Sequence, residues 1–215
     1  MTPLARAEYN HEIGFAGGTA FYLGDANHKT PFERSRWTAG VMYRYNFDTR
    51  WALKLHASLS QVAADSRDFG YRFPTGQDYA AFQRQFFNLD AVAEFNFFDI
   101  GQCKYYKAKN KATPYLLLGI GLTAYNAYGP DASMFHVSIP FGIGGKWKAT
   151  KRLTIGVEWT IHKLFTDDLD VTGEDNLILN DPYRTGKTGF LDTDWFSLAS
   201  VYISFSMFEI NKYCR

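Results

Sequence analysis

Between Trp37 and Ser60 the chain alternates with a period of two, broken once. Trp37, Ala39, Val41, Tyr43, Tyr45 and Phe47 interleave with Thr38, Gly40, Met42, Arg44 and Asn46. After Asp48-Thr49-Arg50 the pattern resumes, with Trp51, Leu53, Leu55, Ala57 and Leu59 set against Ala52, Lys54, His56, Ser58 and Ser60. Successive side chains of a strand point to opposite faces, so this stretch reads as two strands joined by a tight turn. One face is apolar with rings at both ends, and the other carries Arg44, Lys54 and His56. An open sheet packed on a core has this pattern. So does a barrel wall in a bilayer, where outward residues are apolar and aromatic rings mark the interfaces.

The rest of the composition narrows the choice. A chain of 215 residues makes one domain, here taken as residues 1–215 with a terminal segment 1–10 and a tail 209–215. A net charge of +1 offers no bulk attraction for nucleic acid. Aromatics reach 18%, which suits strands and membrane interfaces. No apolar run approaches the ~18 residues of a transmembrane helix; the longest, 115–125, contains Gly119 and Gly121. In a barrel only every second residue needs to face lipid. At the start, Ala5-x-Ala7 has the shape of a signal cleavage site, and an ordinary chain terminus reads equally well. Cys103 and Cys214 form no Cys-x-x-Cys pair, so no zinc or thioredoxin motif is present.

Further period-two segments fall near 12–22, 87–97, 115–125, 137–147, 153–162 and 199–207. Gly14, Gly17 and Gly18 in the first suit close backbone approach, and Pro140 implies a bulge or a locally unpaired position. Between the segments lie connections that alternate long and short. The long ones are 23–35, 65–85, 126–136 and 166–193; the short ones include 48–50 and 149–152. The lysine-rich 101–112 is of medium length. Eight strands with this rhythm, and no helix, predict an all-β, eight-stranded antiparallel up-and-down transmembrane barrel of the bacterial outer membrane, with both termini periplasmic. Eight strands leave an interior just wide enough for their own side chains. Glu12, Arg44, Lys54, Asp90, Glu94, Lys146 and Glu158 are expected there. They should pair with one another, because unpaired buried charge is costly. The lumen is therefore expected to be filled and not a pore.

Several motifs resolve into structure. Gly186-Lys187-Thr188 resembles the end of a P-loop, but Asp181 stands where a glycine is needed and no strand-to-helix context exists. Asp168, Asp170 and Thr172 before Gly173 resemble a calcium loop, but Leu179 occupies the position of its bidentate glutamate. His56 and His162 are expected in the lumen as structural imidazoles; a nucleophilic role would need His162 beside Ser58 or Glu158. Trp37, Trp51, Trp147 and Trp195 near strand ends read as interfacial anchors.

Three stretches carry a family resemblance. Glu12-Ile-Gly-Phe-Ala-Gly-Gly-Thr-Ala-Phe-Tyr-Leu-Gly-Asp, Phe165-Thr-Asp-Asp-Leu-Asp-Val and Thr193-Asp-Trp-Phe-Ser-Leu resemble the PorG family, in order along the chain. The resemblance implies an outer-membrane barrel of the type IX secretion system, associated with the periplasmic ring built by the lipoprotein PorK and its partner PorN. Residues 209–215 continue past the last aromatic strand residue, Phe208, and depart from the usual barrel ending. The expected function is a non-enzymatic accessory component that anchors or positions this ring, with no cofactor and with outer-membrane lipids as surroundings. The alternatives are a barrel enzyme acting on lipid or peptide, and a soluble lipocalin-like carrier, for which 187–215 offers no packed helix.

One rim stands out as a docking face. Lys104, Tyr105, Tyr106, Lys107, Lys109 and Lys111 share one connection on the expected periplasmic side; Lys148, Lys151 and Arg152 lie in another, and Lys212 in the tail. Aromatic anchors carry binding energy while flanking charge steers encounter. Cys103 and Cys214 are placed on the same side. They are disulfide candidates, with each other or with a partner protein, in a compartment that permits disulfides; the strands they follow are not neighbours in sequence, so geometry limits the internal bond.

Overall fold

The computed structural model describes residues 11–23, 34–65, 81–100, 110–126, 134–150, 152–166, 169 and 194–207. Within them the regular structure is all strand: β1 His11–Leu23, β2 Arg36–Asn46, β3 Trp51–Asp65, β4 Ala81–Asn96, β5 Ala112–Ala124, β6 Phe135–Lys148, β7 Leu153–Leu164 and β8 Trp195–Ser206. Each strand pairs antiparallel with the next, and β1 closes the barrel against β8, from Glu12↔Ser206 to Leu23↔Trp195. Closure leaves no free sheet edge, the condition a β structure must meet where water cannot satisfy its backbone.

The alternation of the sequence is the alternation of the wall. Arg44, Lys54, Asp90, Glu94 and Lys146 are buried inside, while Leu55, Leu89, Leu118, Val137, Val157 and Ile203 are exposed on the outside. Val157 and Val201 keep 57% and 54% of their surface open. An apolar band of this kind is unfavourable in water and suited to hydrocarbon. Rings border it at both ends. Trp51 lies against Phe95, and Phe95 against Phe97, with centroids 4.9 and 5.7 Å apart. At the other end Lys163 lies 4.7 Å over the ring of Trp195.

The two ends are built differently. At the end holding the short turns, Asp48 Oδ1 accepts the backbone N–H of Arg50 and of Trp51 at 2.6 and 2.8 Å. Thr150 Oγ1 does the same for Leu153 at 3.1 Å. These side-chain caps make each turn self-sufficient. At the loop end, β3 and β4 outgrow the barrel. Their ladder continues to Asp65↔Ala81, whereas β4 meets β5 only from Phe87↔Ala124 onward. The expectation of a loop over 65–85 is thus corrected: β3 ends at Asp65 and β4 starts at Ala81, six residues before Phe87. Over 81–86 the polarity of the wall is inverted, with Gln83 and Gln85 outward and Phe82 and Phe86 buried inward. A segment facing water outside and an apolar plug inside does not look like a lipid-facing strand.

That plug fills the loop end: Tyr22, Val62, Phe82, Phe86, Tyr125, Leu164, Leu169, Phe196 and Leu198, with Ala20, form one buried cluster. Pro140 behaves as its missing N–H requires. The β5–β6 ladder runs through Leu118↔Phe141 and resumes at Gly121↔Ser138, leaving Ile139 and Pro140 unpaired on that side. Of the three glycines in β1, a Cβ at Gly14 or Gly18 would strike the backbone of β8, while Gly17 has nothing nearer than 4.0 Å.

The wall makes a depth-dependent prediction. Leu55→Arg, Val157→Arg and Ile203→Arg should each cost about 2–4 kcal/mol in lipid vesicles, relative to alanine at the same site. Trp37→Arg and Trp147→Arg, at the two rims, should cost only about 0–1 kcal/mol on the same scale. Equilibrium unfolding measures both sets, and equal costs would contradict a hydrocarbon-facing band.

Candidate functional site

The lumen half nearest the short turns holds a closed charge network. Arg44 is wholly buried and reaches two carboxylates. Its Nη1 donates to Glu12 Oε2 at 2.9 Å and its Nη2 to Glu94 Oε1 at 3.1 Å. Lys146 Nζ donates to Glu94 Oε2 at 3.0 Å, and Lys54 Nζ stands 3.5 Å from Glu94 Oε1. Lys54 also donates to Glu158, which accepts a second hydrogen bond from the hydroxyl of Tyr115 at 2.6 Å. Glu12 is completed by Ser204 Oγ at 2.9 Å and Asn46 Nδ2 at 3.0 Å. Three cations thus meet three carboxylates, as expected from sequence, and Glu94 touches all three cations. Such a set is stable inside a protein only when its charges are mutually satisfied.

Two tyrosines complete the packing. Tyr115 pairs across the ladder with Gly144, and Tyr202 with Gly156. Each ring lies over its glycine so closely that a Cβ there would collide with it. The rings then serve as floors for the cations, with Arg44 5.1 Å over Tyr202 and Lys146 5.0 Å over Tyr115. This role is invisible in either strand alone, because it depends on register.

Above the network lies a second polar group, Asp90 with His56 and His162. His56 Nδ1 and His162 Nδ1 stand 3.7 and 3.6 Å from its two carboxylate oxygens. The approach of His162 to Ser58 or Glu158 that a nucleophilic role would need has no hydrogen bond among the described residues; His162 Nε2 instead lies 3.3 Å from Thr160 Oγ1. No three His, Cys, Asp or Glu among the described residues are arranged to hold a metal.

At the loop end the three stretches singled out in the sequence converge. Tyr22 donates its hydroxyl proton to Asp194, whose other oxygen accepts Leu169 N–H at 2.9 Å. The Asp194 carbonyl accepts Leu164 N–H at 3.0 Å, and Asp194 N–H donates to Thr166 at 3.2 Å. Tyr22, Leu169 and Asp194 come one from each stretch, so these motifs fasten the segment after β7 over the plug. The calcium-like Asp168 and Asp170 lie outside the described residues, as does the P-loop-like 186–188.

Of the expected docking residues, Lys111, Lys148 and Arg152 are described. They share the rim of the short-turn end: Lys148 N–H donates to Lys111 O at 2.8 Å, and Ser206 N–H to Arg152 O at 2.9 Å. Lys104, Tyr105, Tyr106, Lys107, Lys109, Lys151 and Lys212, with Cys103 and Cys214, lie outside the described residues. The connection carrying the first five leaves β4 along a fixed path. Phe97 N–H donates to Pro114 O at 3.1 Å and Phe98 N–H to Thr113 Oγ1 at 2.8 Å. Asp99 pairs with Arg50 of the neighbouring turn at 3.0 Å.

Residues 2–215 match one protein family along almost the whole chain. The chain belongs to the DUF6089 family, a domain of unknown function. No curated protein matches this DUF6089 chain. Among solved structures it is similar to Neisserial surface protein A, at 11% identity and a TM-score of 0.50, covering 92% of this chain and 97% of that one. It is also similar to Ail, the attachment invasion locus protein of Yersinia pestis (13% identity, 93% and 98% covered, TM-score 0.44), and to the outer membrane protein OprG from Pseudomonas aeruginosa (12%, 95% and 98%, 0.44). At such identities the likeness speaks of fold alone. The DUF6089 chain has the closed antiparallel fold of a small outer-membrane barrel.

Two substitutions test the site. Glu94→Gln removes the carboxylate shared by Arg44, Lys54 and Lys146 and should cost about 3–5 kcal/mol, while Lys146→Met in the same chain should restore part of it. Asp194→Ala removes the acceptor of Tyr22 and Leu169 and should expose the segment after β7 to protease before the barrel melts. A wild-type melting point for Glu94→Gln, or unchanged cleavage kinetics for Asp194→Ala, would contradict these roles.

Proposed function

We propose that this protein resides in the bacterial outer membrane with both termini in the periplasm. There it acts as a non-enzymatic accessory component of the type IX secretion system, anchoring or positioning the PorK/PorN ring. The observation that carries this reading is a lumen filled by compensated charge below an apolar plug. With the interior committed to its own packing, the rims are left as working surfaces. The resemblance of three stretches to the PorG family supplies the system and the partner. The basic rim supplies a place: Lys111, Lys148 and Arg152 lie at the end of the barrel where β1 begins and β8 ends. The exposed apolar wall supports a membrane barrel over a soluble carrier.

The test is capture of the purified ring by the barrel in detergent across a salt series. Tyr105→Ala with Tyr106→Ala should raise the off-rate. Lys111→Glu, Lys148→Glu and Arg152→Glu together should slow association and flatten its salt dependence, as expected when charge steers encounter. A barrel carrying both sets that still captures the ring at wild-type yield at every salt concentration would place docking elsewhere.

A further inference from the structure

One small hollow in the lumen is lined mainly by polar residues: Thr38, His56, Glu158, Thr160 and Ser200. Its lining occupies inward positions of β7, β8, β1, β2 and β3. Glu158 belongs to the charge network below, and Leu198, which borders the hollow above, belongs to the apolar plug. The space exists because small residues meet there. Ala16 of β1 faces Gly40 of β2 across their ladder, and the ladder partner of Gly40 on β3 is Ser58. The ring of His56 leans over Gly40, where a Cβ would come within 2.9 Å of Nε2. What remains is about 10 Å³ for the centre of a water molecule, about what a single water requires.

The inward side chains beside the hollow keep accessible surface that the centre of the network lacks. The side chain of His56 is 13% exposed and that of Glu158 8%, whereas Arg44 and Glu94 have none. In a closed barrel this is surface that a water molecule inside the lumen can touch. Its hydrogen bonding is incomplete within the protein. Both hydrogen bonds to Glu158, from Lys54 and from Tyr115, end on Oε2, which leaves Oε1 as an acceptor. His56 approaches Asp90 through Nδ1, at 3.7 Å, and its Nε2 is turned to Gly40 at the edge of the hollow. Ser58, beside Gly40 and 2% exposed, has a hydroxyl oxygen with no hydrogen-bond partner. Buried polar atoms left in this way are costly, and internal water is a common means of satisfying them. An apolar guest would leave them unpaired, and a space of this size admits little larger than water.

We infer that this hollow is a binding site for one internal water molecule, which bridges Glu158 of the ionic layer to His56 of the histidine layer, with Ser200 as a third partner. Water suits the position because it both donates and accepts. It donates to Glu158 Oε1 and shares a hydrogen bond with Ser200, the ladder partner of Glu158. It meets His56 Nε2 as donor or acceptor, whichever tautomer the ring adopts. The bound water is thus part of the packing between the two layers.

The test is water-edited solid-state NMR of the full-length barrel, labelled at histidine, serine, valine and leucine, in lipid bilayers. Water magnetisation should reach the side chains of His56 and Ser200 within a mixing time at which the plug methyls of Val62 and Leu164 receive none. Ser200→Val removes one partner and fills the hollow, and the transfer to His56 should then be lost. Absence of transfer to His56 in the wild-type barrel would overturn the inference. So would equal transfer to the plug methyls, the sign of a lumen open to bulk water, or transfer to His56 that persists in Ser200→Val. If that variant does not fold, the wild-type contrast between His56 and the plug decides.

Discussion

Everything inside this barrel depends on charge compensation around Glu94. Eight strands enclose a space with no room for bulk solvent. A carboxylate placed there must find its counter-charges within the wall. Glu94 finds three, from β2, β3 and β6, and through them ties together strands far apart in sequence. The backbone ladder alone would close a barrel of this size. The network selects one register, because sliding β1, β2, β3, β4, β6 or β7 by one residue would turn its lumen charge into hydrocarbon. Tyr115 and Tyr202, seated over Gly144 and Gly156, fix the same register sterically.

The interior is layered accordingly. Near the short turns it is ionic, in the middle it is a carboxylate between two histidines, and at the loop end it is apolar. Among the described residues these layers fill the lumen by different means. The motif residues Tyr22, Leu169 and Asp194 belong to the loop-end layer. The loop-end resemblance to a known family is therefore a matter of how the barrel is closed. The other end offers self-capped turns, a basic rim and a connection whose first residues are pinned by Pro114, Thr113 and Arg50.

Much of this was legible in the sequence, for a simple reason. Period-two alternation assigns every residue of a strand to one face, so the inward Arg44, Lys54, Asp90, Glu94, Lys146 and Glu158 and the outward Leu55, Val157 and Ile203 could be named without coordinates. Pro140 could be read as a gap in a ladder because its chemistry is local. What alternation does not carry is pairing across the barrel. That Glu94 would be shared by three cations, that Asp90 would lie between two histidines, and that His162 would face Thr160 depend on register between strands. The extension of β3 and β4 was hidden for another reason. Over 81–86 the chain leaves the apolar band, and polar residues outward with Phe82 and Phe86 inward look like a loop when hydrocarbon is assumed outside.

Among the described residues the lumen is filled by its own side chains, with Arg44, Lys54 and Lys146 set against Glu12, Glu94 and Glu158. Conductance of the purified barrel in planar bilayers tests this most directly. Insertion without discrete channel steps is expected at neutral pH, with steps appearing only in variants that break the network, such as Glu94→Ala with Arg44→Ala. Stable, well-resolved conductance steps from the wild-type barrel would contradict it.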